Sequence, residues 1–202
     1  MAGGAIGEGT SRSLTISSAG QGTYCTDIDL DFSGIEDVKA YIASGFIQKT
    51  GTVILTRVTD VPAGTGIFVK GAAGTYEIPY KASSAYYKNM LKGNIDPVSV
   101  DPTTGDYANF YLSNGSDGLG FYRISSTRTM SANRAILCVP QSLFETVAEA
   151  RRVNIVFDDE TTGIDAMTHQ ANDEKVYNLQ GQRVSQPQKG LYIVDGKKVY
   201  VK

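Results

Sequence analysis

Apolar and polar residues alternate with a period of two through most of the chain, in short runs broken by glycine, proline and asparagine. That period is the signature of half-buried strands. Ser13-Leu14-Thr15-Ile16-Ser17 predicts the first, and Thr23 to Phe32 a second in which Tyr24, Ile28, Leu30 and Phe32 share even positions. The period changes after Ser33, where Ile35, Val38, Tyr41 and Ile42 fall at i, i+3, i+6 and i+7, with Ser33 as a cap and Glu36 three residues on. This spacing predicts one short amphipathic helix over about residues 35 to 43, plugging an open end or face of the sheet. Thr52–Thr59, Thr65–Lys70 and Thr75–Pro79 then predict a three-strand meander, with turns at Pro62-Ala63-Gly64 and Gly71-Ala72-Ala73-Gly74.

Downstream, Asn114-Gly115-Ser116-Asp117-Gly118 turns a strand at Tyr107–Leu112 into one at Leu119–Ile124. Pro140 to Ala150 holds one helical turn around Leu143, Phe144 and Val147, and Val153–Phe157 is the last strand before the acidic Asp158-Asp159-Glu160. Pro62–Val69 echoes Ser131–Cys138, each preceded by a strand carrying an arginine, Arg57 or Arg123. Gly64 and Asn133 match as the residues that best tolerate left-handed backbone. The echo is read as a duplicated hairpin, its halves packed as two sheets or as one barrel, with chance the alternative.

Composition agrees with this pattern. Twenty-two glycines, twelve tyrosines and no tryptophan in 202 residues describe many short strands joined by tight turns. The expected fold is all-β: a β-sandwich or barrel-like body with one short helix, followed by a small C-terminal β-strand unit. The expected domains are a Gly-rich linker at 1–12, a body at 13–158, a polar linker at 159–174 and a β tail at 175–202. A formal net charge of −2 with scattered lysines and arginines argues against a nucleic-acid partner. No run approaches the ~18 apolar residues of a membrane span, and Met1 to Gly7 lacks the basic start and apolar centre of a signal peptide. An exported protein would therefore carry a processed or trimmed N-terminus here.

In the tail, Val176–Leu179, Gly190–Val194 and Lys198–Val201 are apolar-rich runs, and Asp195-Gly196 has the chemistry of a two-residue hairpin turn. The strings YNLQGQRV and KGLYIVDGKKVYVK resemble the C-terminal tails of secreted and cell-surface proteins of the Bacteroidetes, related to type IX secretion sorting domains. Val153 to Ile164 and Gly118 to Tyr122 resemble parts of the β-rich module that often precedes such tails, so that roughly half the chain is covered. The resemblance implies a secreted or cell-surface protein whose partners include the sorting machinery. It implies that Gly190, Leu191, Tyr192, Gly196, Lys197 and Lys198 belong to the sorting signal. The chain departs from the family in offering only about four strands after Asp158, where a sorting domain forms a complete small sandwich.

Three sets of residues are candidates for chemistry. Asp27, Asp29 and Asp31 form a D-x-D-x-D array able to offer three oxygens to a Ca²⁺ ion, but the glycine and glutamate that an EF-hand loop needs are replaced by Phe32 and Val38. The solvated face of a strand is the stronger reading, and no cofactor is expected. Tyr86, Tyr87, Tyr107 and Tyr111 would make an aromatic platform for a sugar ring, on or beside the irregular stretch Lys81–Gly105; the alternative is half-buried sheet tyrosines. Cys25 and Cys138 are the only cysteines, read as isolated buried thiols rather than a disulfide. The sole histidine, His169, lies in the polar linker, and no C-x-x-C, H-E-x-x-H, G-x-S-x-G or Walker sequence is present.

These features point to a non-catalytic surface module for adhesion or ligand binding, with a glycan or a host surface protein as partner. The alternatives are a structural stalk and an accessory module of a carbohydrate-active enzyme. Exposed aromatics around Tyr86 would favour binding over stalk; two carboxyl groups ~5 to 10 Å apart in a cleft would favour a hydrolase.

Overall fold

The computed structural model describes residues 11–144 and 151–159, together with the strand backbones at 176–177, 190–194 and 197–201. The chain divides into two compact units, Met1–Thr161 and Thr162–Lys202. The first is all-β. Its strands are β1 (Ser11–Ile16), β2 (Gln21–Tyr24), β3 (Leu30–Asp31), β4 (Val38–Ile47), β5 (Thr52–Val58), β6 (Asp60–Val61), β7 (Ile67–Gly71) and β8 (Gly74–Pro79). After these come β9 (Leu91–Asn94), β10 (Val98–Val100), β11 (Thr103–Thr104), β12 (Tyr107–Gly115), β13 (Gly118–Arg123), β14 (Arg128–Met130), β15 (Arg134–Pro140) and β16 (Arg152–Phe157). The helical pieces among the described residues are short 3-10 turns at Gln48–Thr50 and Gln141–Leu143.

A ten-stranded sheet runs β2-β7-β4-β5-β16-β13-β12-β15-β9, with β11 added beside β12. Its pairs are antiparallel except β16 with β5, where Asn154–Phe157 lie parallel to Thr52–Leu55. The sheet nearly closes on itself. A bridge between Thr65 and Lys92 joins the start of β7 to β9, and Met90 is paired on both sides, its N–H donating to the Ala43 carbonyl and its own carbonyl accepting from the Cys138 N–H. The interior is filled with side chains, as expected for a barrel of about eight strands. Tyr41, Leu55, Phe68, Phe110, Phe121 and Leu137 are among its fully buried members. Phe68 meets Tyr41, Phe121 and Phe157 at ring centroid distances of 6.3, 6.4 and 5.6 Å.

Two further layers cover the outside of this barrel. β1 pairs with β8, and β3 with β6; together they bury Leu14, Ile16, Leu30 and Ile78 against Val38, Ala40, Ile42, Ile67 and Val69 on the outer faces of β4 and β7. On the far wall β10 pairs with β14 over a smaller cluster of Val100, Ile124 and Ile136.

The helix expected at 35–43 is strand β4. Even-numbered Val38, Ala40 and Ile42 face the outer layer, whereas Tyr41 and Ala43 face the barrel interior. A strand covered on both faces loses the apolar–polar alternation that marks a half-buried one, so its apolar spacing matched a helix by accident. The meander expected from residues 52 to 79 is absent for a related reason. β4 lies between β7 and β5, and β8 leaves the sheet to pair with β1. The strand expected from Thr23 to Phe32 is two short ones, β2 and β3, separated by a bend. The first described strand, β1, starts at Ser11, two residues before the expected first strand at Ser13, with Ser11 in register with Pro79 and Arg12 paired with Asp27 at 2.9 Å.

The sequence echo corresponds to a repeated three-strand unit. In the first copy the β4–β5 hairpin receives β7 on the other side of β4; in the second the β12–β13 hairpin receives β15 on the other side of β12. Gly64 and Asn133 both take left-handed backbone, with φ of 76° and 57°. Both dock on one segment, the Gly64 N–H donating to the Thr26 carbonyl and the Asn133 side chain to the Cys25 carbonyl.

In the second unit β17 (Val176–Tyr177), β18 (Gly190–Val194) and β19 (Lys197–Val201) form an antiparallel sheet in that order. Val194 pairs with Lys197, the register that a two-residue hairpin connection requires. Gly196 itself lies outside the described residues, as do His169, the segments 1–10 and 160–175, and Val147 of the expected helical turn.

Candidate functional site

An open cleft of about 1150 Å³ lies along the seam where the sheet closes. Its walls come from the end of β4 (Ser44 to Phe46), the turn before β7 (Pro62 to Gly66), the stretch 85–93 and the β11–β12 turn with Tyr107. A β-bulge between Ala43 and Gly45 bends β4 at this point. Phe46 is thereby turned onto Phe144, 5.4 Å between centroids, and Phe144 in turn meets Phe110.

Asn89 builds the floor. Its side-chain oxygen accepts from the N–H groups of Ala43 and Leu91, each at 2.9 Å, and its amide donates to the Gly66 carbonyl at 2.7 Å. One side chain thus supplies partners for three backbone groups at the point where β7 no longer accompanies β4. The preceding residues 81–88 form an irregular strap across the outside. Asp29 holds that strap, accepting from the Ala63 N–H at 2.7 Å and the Ser83 N–H at 2.9 Å, and Asp31 pairs with Lys81 at 3.4 Å.

Asp27, Asp29 and Asp31 therefore do not converge. Asp27 is engaged by Arg12, whose hydrogen bonds hold its carboxyl below the usual carboxylate range; Asp31 is held low chiefly by hydrogen bonds from Ser33. Strand alternation would have put all three on one face, but only Asp31 belongs to a strand, so each faces a different neighbour. Among the described residues no group of three His, Cys, Asp or Glu side chains is placed to hold a metal ion.

The tyrosines divide. Tyr86, on the strap, is 95% exposed, and Tyr107, at the start of β12, is 47% exposed; both line the cleft. Tyr87 also lines it, but its hydroxyl donates to the Asp60 carbonyl at 2.7 Å and its ring packs on the outer cluster. Burial, and then the nearby Asp60, push its pKa up. Tyr111 is not on the cleft. It lies half-buried in the cluster beneath β14, with the Arg128 guanidinium 3.9 Å from its ring centre. The parts that sequence reasoning missed are Asn89 and the bracketing role of Asp29. Asn89 stands in a polar stretch with no periodicity, and nothing short of the strand pairing marks it.

Cys25 and Cys138 are both free, Cys25 buried and Cys138 half-buried on the cleft wall. Burial pushes the Cys138 thiol from its ordinary value of 9.0 up to about 11, against a smaller downward pull from Lys92. The neutral thiol is favoured in the folded state, so its contribution is fully present below pH ~9 and is lost as pH rises towards ~11. Unfolding in guanidinium at pH 8 and pH 10.5 should show a loss on the order of 2 kcal/mol that the Cys138→Ala variant lacks.

No protein-family model, curated protein or solved structure matches the chain. Among the described residues no helix is long and apolar enough to cross a membrane.

Proposed function

We propose that the protein is a non-catalytic, secreted or cell-surface module that binds a glycan in the cleft and carries a C-terminal sorting tail. The observation that supports this most is the exposure of Tyr86 and Tyr107 on one concave surface. A large aromatic ring held in solvent by an anchored strap costs apolar hydration, and a sugar ring stacked on it recovers that cost. Asp29 and Asn89 fix the strap at both ends of the segment that carries Tyr86, so the ring is presented by a constrained loop. Among the described residues the cleft lining holds one carboxylate, Asp106, whereas glycoside hydrolysis generally uses two.

Binding is tested by a glycan and matrix-protein screen on the purified chain. Tyr86→Ala and Tyr107→Ala should each weaken a glycan hit by about tenfold while leaving the melting temperature unchanged. Full affinity in both variants would place the ligand elsewhere.

The tail's role rests on its resemblance to sorting domains. Truncation after Asp165 should leave the body folded, with the melting temperature of the intact chain. The same deletion in the precursor, followed by surface proteolysis in its own cell, should leave the protein behind the outer membrane. A truncated precursor that still reaches the surface would exclude the tail as the export signal.

A further inference from the structure

The cleft is lined by charged groups as well as aromatic faces. Its charged lining residues among the described ones are Lys88, Lys92 and Asp106, all exposed. Among the described residues neither lysine is held in an ion pair. Lys92 stands on β9 in register with Ile136 of β15, and its charge pulls the Cys138 thiol down against the larger effect of burial. Two ammonium groups, unpaired among the described residues, thus line the cleft with Tyr86 and Tyr107, and the open cleft volume of about 1150 Å³ is larger than the ~300–1,000 Å³ of small-molecule pockets. The cleft has room for a segment of a polymer.

At the cleft floor the backbone of Met90 is closed to a peptide strand, because it is already paired to Ala43 on one side and to Cys138 on the other. The side chains on offer include flat rings and two lysines, set against the single carboxylate Asp106 among the described residues. We propose that the cleft takes the chain of an anionic glycan, whose rings stack on Tyr86 and Tyr107 while its carboxylate or sulfate groups pair with Lys88 and Lys92. The charge preference rests on the reading of the cleft as a glycan site given above.

Titration calorimetry on the full chain tests it with carboxylated glycans (polygalacturonate, alginate), sulfated glycans (chondroitin sulfate, dextran sulfate), neutral glycans (xylan, mannan, laminarin) and poly-glutamate. At least one anionic glycan should bind tighter than every neutral one, with an affinity that falls as salt is raised. Whether the carboxylated or the sulfated set carries the binding identifies the anion. The exposed Lys88→Ala/Lys92→Ala double variant should keep its melting temperature and lose about tenfold in affinity for the anionic ligand. Three results would overturn the charge preference while leaving glycan binding in place: neutral glycans bound as tightly as anionic ones, no response to salt, or a double variant with full affinity. Poly-glutamate bound as tightly as the best glycan would show that the site selects charge alone, and would also overturn it. If no glycan of any class binds, the glycan reading falls and the charge preference with it.

Discussion

Valine in place of Gly66 should cost more than about 3 kcal/mol of stability, or prevent folding, because the barrel could no longer close. A Cβ at this position would stand 2.7 Å from the Gly93 nitrogen, 2.9 Å from the Ala135 Cβ and 3.0 Å from the Leu91 carbonyl oxygen. Two of these three atoms are backbone and cannot swing aside as the end of a side chain would. Relief requires β9 to move away from β7, which breaks the Thr65–Lys92 bridge and the Asn89 bond to the Gly66 carbonyl. Gly64 supplies the control. Its φ is 76° but the space around it is open, so Gly64→Ala should cost only about 1 kcal/mol of backbone strain. Guanidinium unfolding of the two variants separates these effects, and a Gly66→Val protein within 1 kcal/mol of the parent, on the scale of the control, would mean that the seam is not a closure point.

Removing the Asn89 side chain should cost about 3 kcal/mol, since Asn89→Ala leaves the Ala43 and Leu91 N–H groups and the Gly66 carbonyl without their partner. Asn89→Asp is the informative companion. It keeps an oxygen for the two N–H groups but turns another oxygen towards the Gly66 carbonyl, so its stability should fall between those of the parent and the alanine variant. Amide exchange gives the local readout, because protection at Ala43 and Leu91 should be lost in Asn89→Ala and retained in Asn89→Asp. Equal stability of the alanine variant and the parent would mean that water replaces the amide here at no cost. The ligand measurements follow from the same geometry: a strap released at Asn89 no longer holds Tyr86 in place, and glycan affinity should fall even though neither lysine nor either ring has changed.

The all-β class, the turn residues and most strand positions were legible in the sequence, because each depends on local chemistry. The period of two, the glycines and the Asn-Gly-Ser-Asp-Gly turn act within a few residues, and β5, β12, β13 and β16 lie close to their expected places. The paired left-handed positions at Gly64 and Asn133 were legible as well, since only certain residues tolerate that backbone. What the sequence could not determine was which faces would be covered. β4 read as a helix because outer layers formed by β1, β3, β6 and β8, remote in the chain, bury its second face and remove the polar positions that would have betrayed a strand. The three aspartates read as one array because alternation assumes a continuous strand, and the bend after β2 breaks it. The cleft was half legible. Tyr86 and Tyr107 could be named as aromatic residues in and beside a long loop, but their convergence, and the exclusion of Tyr111, depend on where β12, β14 and the strap meet. Closure is the most remote of these properties. It brings Ala43, Gly66, Asn89 and Cys138 to one point from four separate parts of the chain, and only the tertiary structure decides a contact whose partners are so far apart in sequence.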